Sequence, residues 1–129
     1  MPYPKSSTVD WDNSDYRFAS PYPHMEGVVP LSAGQNLKEG SVLGKVTATG
    51  EYVLSCRTKE NGDLVTDGSE KPSVVLLRDC DATDGDKQPA VYLTGHFLTT
   101  FLKLGRGHTF PSVKDALRAN NIFYGFPVT

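Results

Sequence analysis

The sequence predicts a mainly β protein: a compact β body with one short helix near the C-terminus and an extended N-terminal arm. Three observations carry this. Short apolar or alternating runs recur between turn dipeptides from Val28 onward. One window near the end has a helical period. Residues 1–30 hold prolines and rings but hardly any aliphatic side chains. At 129 residues the chain is one small domain's worth, and such a domain buries roughly two-thirds of the surface its unfolded chain exposes.

Residues 1–30 are read as the arm and residues 31–129 as the body. The arm holds five of the nine prolines, Pro2, Pro4, Pro21, Pro23 and Pro30, and five of the thirteen aromatic residues, Tyr3, Trp11, Tyr16, Phe18 and Tyr22. Of Val, Ile and Leu it has only Val9, Val28 and Val29. Proline fixes φ and removes a backbone donor, which disfavours helix and central strand. Few aliphatics leave little apolar surface to offset the entropy of ordering. The arm is therefore expected to be extended, or disordered when the protein is alone. It is not an ordinary flexible linker, because it has no glycine before Gly27. Its rings either fold back onto the body, as an appended tail would, or anchor the arm to a partner. The second reading is favoured, because aromatic side chains are strong interface anchors.

The body begins with Val42, Val46 and Ala48 alternating with Gly44, Thr47 and Thr49, and Glu51–Arg57 follows across the Thr49-Gly50 turn as a hairpin. Residues 58–72 are polar, with Asn61-Gly62 and Asp67-Gly68, and read as a loop or a second hairpin tip. Ser73–Leu77 is a continuous apolar run and reads as a buried strand. Asp79–Pro89 is an acidic loop, and Ala90–Thr94 a strand ended by Gly95. From His96 to Leu104 the pattern alternates imperfectly, with Phe97, Thr99, Phe101 and Lys103 on one side. In the one helix, Thr109 is the cap and Pro111 lies in the first turn. Val113, Ala116 and Leu117 form its apolar face, and Asn120-Asn121 its end. Ile122–Tyr124 is a final short strand.

The net charge of -2 lies wholly in the arm, where Asp10, Asp12, Asp15 and Glu26 oppose Lys5 and Arg17. Without a basic excess, nucleic acid and anionic membrane are poor candidate partners. No run of 18 or more apolar residues exists to span a bilayer. The first eighteen residues have no apolar h-region, so a secretory signal is not expected. Cys56 and Cys80 are accordingly read as two reduced, partly buried thiols, although they would pair if their strands were neighbours.

No constellation signals catalysis or a cofactor. Asp79, Asp81, Asp84 and Asp86 resemble a calcium loop, but Gly85 and the acids are out of register with an EF-hand and no Glu closes it. A solvated acidic loop is the simpler reading. His24, His96 and His108 lack metal-ligand spacing, and neither GxSxG nor a phosphate-binding glycine loop occurs. No catalytic, cofactor-binding or metal-ligating residue is assigned.

The body contains Gly34-Gln35-Asn36-Leu37-Lys38-Glu39-Gly40-Ser41-Val42-Leu43-Gly44-Lys45-Val46-Thr47. It continues with Asp67-Gly68-Ser69, Pro72, Val74–Leu77, Asp79-Cys80-Asp81-Ala82-Thr83, Val91–Phe97 and Val113–Arg118. In order and spacing this string resembles the phage head decoration proteins, the lambda-type capsid-stabilising family, over roughly residues 31–124. The resemblance implies a small β-clip or tulip-like body that assembles as trimers on the outside of the expanded phage head. Such trimers sit at local three-fold axes between capsomers and reinforce the shell against packaged DNA. The N-terminal segment orders on the capsid, adding a strand beside a loop of the major capsid protein. The implied partners are that protein and two further copies of the chain, with no nucleic acid, membrane, metal or cofactor. The implied location is the outer surface of the virion, after assembly in the host cytoplasm.

An extended peptide adds to a sheet edge through main-chain hydrogen bonds, with alternate side chains giving specificity. Ser6–Trp11 is a proline-free stretch of the arm with β-branched Thr8 and Val9. It is expected to supply the added strand, with Val9 and Trp11 on one face. The candidate capsid-contacting residues are Thr8, Val9, Trp11, Tyr16, Phe18 and Tyr22. Two other classes remain: another virion part, such as a tail-tube or head–tail joining protein, and a small β-barrel hydrolase or binding domain. A calcium-dependent adhesion module is a further alternative.

Overall fold

Nine short strands and one helix make up the computed structural model, which describes residues 16–127. In chain order these are β1 (Glu26–Val28), β2 (Asn36–Leu37), β3 (Val42–Lys45), β4 (Tyr52–Leu54), β5 (Pro72–Leu76), β6 (Cys80–Asp81), β7 (Ala90–Tyr92), β8 (Gly95–Leu98), α1 (Phe110–Ala119) and β9 (Ile122–Gly125). The principal sheet has the order β1-β7-β5-β3-β4, with every neighbouring pair antiparallel. It curls back on itself beyond β1. Leu31 bridges Tyr52 of β4, Tyr52 N donates to Pro30 O at 2.8 Å, and Ser32 N donates to Tyr52 O at 2.9 Å. The sheet thus closes at one end into a small barrel, and among the described residues no strand pairs with the outer edge of β1.

Both faces of the central strands β3, β5 and β7 are largely buried, which explains the unbroken apolar run in β5. Successive side chains on a strand point to opposite faces. Leu43, Val74, Leu76 and Val91 pack inside the curl with Val29, Leu31 and Ala82. Val42, Val75 and Tyr92 face the other way, into a core shared with Phe18, Phe97, Phe101, Val113, Leu117 and Ile122. The second layer is α1 with β8 and β9. These two strands are parallel, pairing Gly95 with Ile122 through Leu98 with Gly125. Parallel neighbours require a crossover connection, and residues 99–121 with α1 provide it.

The expected helix is present with its expected ends. Thr109 Oγ1 accepts from Ser112 N at 3.3 Å, and Thr109 N donates to Ser112 Oγ at 2.8 Å, a reciprocal cap. Pro111 lies in the first turn, and Val113 and Leu117 form the buried stripe. At the far end Asn121 takes the left-handed conformation, with φ 61°. The hairpin across Gly50, φ 77°, is likewise as expected, joining β3 to β4. Thr58 bridges Leu64 across the Asn61-Gly62 turn, so the 58–72 segment contains a hairpin tip.

Three features depart from the expectations. The run from His96 to Leu104 is not one strand. A turn follows β8, where Phe101 N donates to Leu98 O at 3.0 Å, and it buries both Phe101 and Leu102. The acidic loop contains a strand, β6, paired with β2. The expected boundary at residue 30 does not coincide with the edge of packed structure. Residues 16–30 lie on the body and supply both β1 and the buried Phe18. Cys56 and Cys80 are free and half-buried.

Candidate functional site

Residues 16–25 form a belt across β8 and the end of β7. Backbone bonds fix its first part: Leu98 N donates to Arg17 O, and Ala19 N to His96 O, each at 2.8 Å. These bonds make β8 the centre of a three-stranded patch, with residues 17–19 on one side and β9 on the other. Phe18 bridges Phe97 and points inward, where it is only 8% exposed. Its ring stacks on Phe97 at 5.4 Å and on His24 at 4.5 Å, and meets Tyr92 edge-on at 5.5 Å. The Arg17 guanidinium donates to the Tyr92 hydroxyl at 3.0 Å. Further along, Ser20 Oγ lies 2.6 Å from His96 Nδ1. Thr94 Oγ1 accepts from Met25 N at 3.0 Å and donates to Pro23 O at 3.1 Å.

Tyr16, where the described chain begins, is fixed at its polar end. Its hydroxyl lies 2.8 and 2.7 Å from the two carboxylate oxygens of Glu39, and its ring meets Phe101 edge-on at 5.9 Å. Glu39 is held in turn. Its N–H donates to Asp79 Oδ1 at 2.8 Å, and its carbonyl accepts from Lys103 Nζ at 2.7 Å. The Glu39 amide holds the Asp79 carboxyl below its ordinary range. Two neighbouring acids of the loop, Asp81 and Asp86, are also engaged with protein groups. Asp81 accepts from Thr83, which lowers its pKa, and Asp86 accepts from Ala33 N at 2.9 Å. Among the described residues no group of three or more His, Cys, Asp or Glu is arranged to hold a metal ion. None of their helices is long and apolar enough to cross a membrane.

The six candidate residues therefore separate. Thr8, Val9 and Trp11 lie outside the described residues. Tyr16 is 57% exposed, with its ring at the surface. Tyr22 is 37% exposed and edge-on to Phe123 at 5.2 Å. Phe18 is a core residue whose ring is covered by the body's own side chains. The count of aliphatics missed this, because a buried ring supplies as much apolar area as a Leu or Val. A signal was nevertheless present: Met25-Glu26-Gly27-Val28-Val29 follows the last arm ring and reads as a strand once Phe18 is allowed to be core.

Sequence comparison places its limit at nearly the same point. The chain matches the family model of bacteriophage lambda head decoration protein D over residues 18–122, from the first buried ring of the described residues to the first residue of β9. No curated protein matches the chain. The family match covers the curled sheet, the belt from Phe18 and α1 together, which is most of the chain. A mainly β body with one short C-terminal helix, matched along that length, belongs to the bacteriophage lambda head decoration protein D family, a family of structural proteins of the phage head.

Proposed function

We propose that this protein binds the outer surface of the mature phage capsid as a trimer at local three-fold axes and stabilises the shell against the pressure of packaged DNA. The family match is the observation that carries the reading. The site proposed for docking is the segment before Tyr16. An arm must leave the body from a fixed point if its reach is to be set by its length. The double approach of the Tyr16 hydroxyl to Glu39 and the backbone pairing of Arg17 give it such a point. The partner is a major capsid protein offering a sheet edge, which residues 6–11 extend by one strand.

Trimers make this arm effective. Ordering a peptide costs several kcal/mol, so one arm alone binds weakly. Joining three arms turns the second and third contacts into intramolecular events at effective concentrations on the order of mM. Three arms also tie neighbouring capsomers together. The test is a cryo-EM map of decorated mature particles. The expected map has three copies around each local three-fold axis and residues 6–11 as a strand on a capsid-protein sheet. A map with rings of another symmetry, or with the arm touching only its own body, contradicts the reading.

A further inference from the structure

Apart from the segment proposed for capsid docking, the body carries a groove on its other layer. It runs between α1 and β9, has a volume of about 260 Å³ and is lined by Lys114, Arg118, Ile122, Phe123, Tyr124 and Phe126. Its floor is aromatic, and Phe126 is 68% exposed. Its wall is cationic: Lys114 and Arg118 stand one helical turn apart, and among the described residues neither has a carboxylate within ion-pair distance. The groove also follows an open sheet edge. Asn121 and Gly125 direct their carbonyls to β8, accepting from Gly95 N and Thr99 N. In a parallel pair this leaves the backbone groups of Ile122 and Tyr124 turned outward, and no strand of the described residues pairs with them there.

Such a groove suits an extended peptide with an aromatic ring flanked by acids. The chain outside the structure contains one: Asp10-Trp11-Asp12, with Asp15 beyond it. The register brings it within reach. Arg17 pairs with Leu98, and Leu98 is level with Gly125, so Tyr16 lies level with Phe126. Two strand spacings separate them, roughly 10 Å. Asp12 precedes Tyr16 by four residues, which span up to about 14 Å when extended. We propose that the groove between α1 and β9 is a seat for this chain's own Asp10–Asp12 in the free protein, with the Trp11 ring on Phe123 and Phe126 and the carboxylates toward Lys114 and Arg118. Seating hides the acid-flanked ring until a capsid edge competes for it, which keeps free copies from pairing through their arms.

Trp11 is the chain's single tryptophan, so its fluorescence reports the seat directly. The experiment is acrylamide quenching of the full-length protein, with a peptide of residues 1–15 as reference. Trp11 in the protein is expected to emit at shorter wavelength and quench less steeply than in the peptide. The double variant K114E/R118E is expected to shift the equilibrium toward release by about fivefold, the effect of two exposed ion pairs. Adding D10K/D12K to that variant is expected to restore protection. Phe126→Ser is the second probe should the helix variant melt early, and it too is expected to expose Trp11. Peptide-like quenching in the unaltered protein overturns the proposal, as does protection that survives both the charge reversal and Phe126→Ser. Protection that grows with protein concentration also overturns it, by giving the seat to another copy's arm. Capsid occupancy is not read in this experiment, so its outcome is separate from that of the docking reading.

Discussion

Phe18 and Phe97 are backbone bridge partners whose rings stack, with centroids 5.4 Å apart and planes 29° apart. This one relationship decides where the arm ends. Phe18 is the first buried residue of the described chain, and it draws Tyr92 and His24 into the same ring cluster. Phe18→Ala is expected to lower stability by about 3–5 kcal/mol, the usual cost of deleting a buried ring. Urea denaturation measures it. An unchanged midpoint would mean that residues 16–30 are not part of the folded unit.

The residues that were legible in the sequence are those whose structure is local. Thr109, Pro111, Val113, Leu117 and Asn121 specify α1 by capping and by a 3.6-residue period, and each occupies its expected position. The buried run of β5 and the turn at Gly50 were readable for the same reason. Phe18, Leu31 and the β2–β6 pair were not, because their partners lie far away in sequence: Phe97, Tyr52 and Lys87, and Cys80–Asp81. Prolines 21, 23 and 30 suggested an unstructured arm. A belt held by rings and by the amides of Ala19, Met25 and Leu31 needs no N–H from them. The capsid-contacting role proposed for Thr8, Val9 and Trp11 depends on a partner's sheet, which this chain's own sequence cannot specify.

Gly44 is required by a close approach of two backbones. A Cβ placed there would lie 2.0 Å from Ser69 O and 2.7 Å from its carbonyl carbon. The pairing of β3 with β5 shifts register at this point, between Leu43 and Gly44. The Asp67–Ser69 turn is held against it, because the Ser55 hydroxyl donates to Ser69 O at 2.8 Å and Thr47 N to Asp67 O at 2.9 Å. Gly44→Ala is expected to cost about 1–3 kcal/mol, as overpacking does, and a thermal melt measures the loss. A melt equal to the unaltered protein's would show that the turn moves freely.

Acid is expected to weaken the body through Asp67 and Asp79. The Ser69 hydroxyl, donating at 2.6 Å, and the Ser69 amide hold Asp67 below its ordinary range, and the Glu39 amide does the same for Asp79. A carboxyl whose folded pKa is depressed contributes stability above its unfolded value, about 3.9 for Asp. That contribution disappears as the pH falls through the folded value. The melting temperature should therefore fall as the pH drops below about 4. The double variant D67N/D79N should show a shallower fall. Equal acid dependence in the two proteins would rule these carboxylates out as its source.

The reciprocal cap of α1 is a smaller, separable contribution. Thr109→Ala removes the acceptor for Ser112 N and is expected to cost about 1 kcal/mol. Thr109→Gly should cost only a few tenths. Guanidinium denaturation measures both, and a Thr109→Ala midpoint equal to the unaltered protein's would show that the cap oxygen contributes nothing.

The central claim is that a body beginning at Tyr16 is complete, while the residues before it do the docking. The most direct test is the occupancy of expanded capsids by a protein lacking residues 2–15, measured beside its urea midpoint. The account predicts loss of capsid binding by a body that still unfolds cooperatively, its midpoint lowered by no more than the weak seating of Asp10–Asp12. Undiminished decoration by the truncated protein would contradict it.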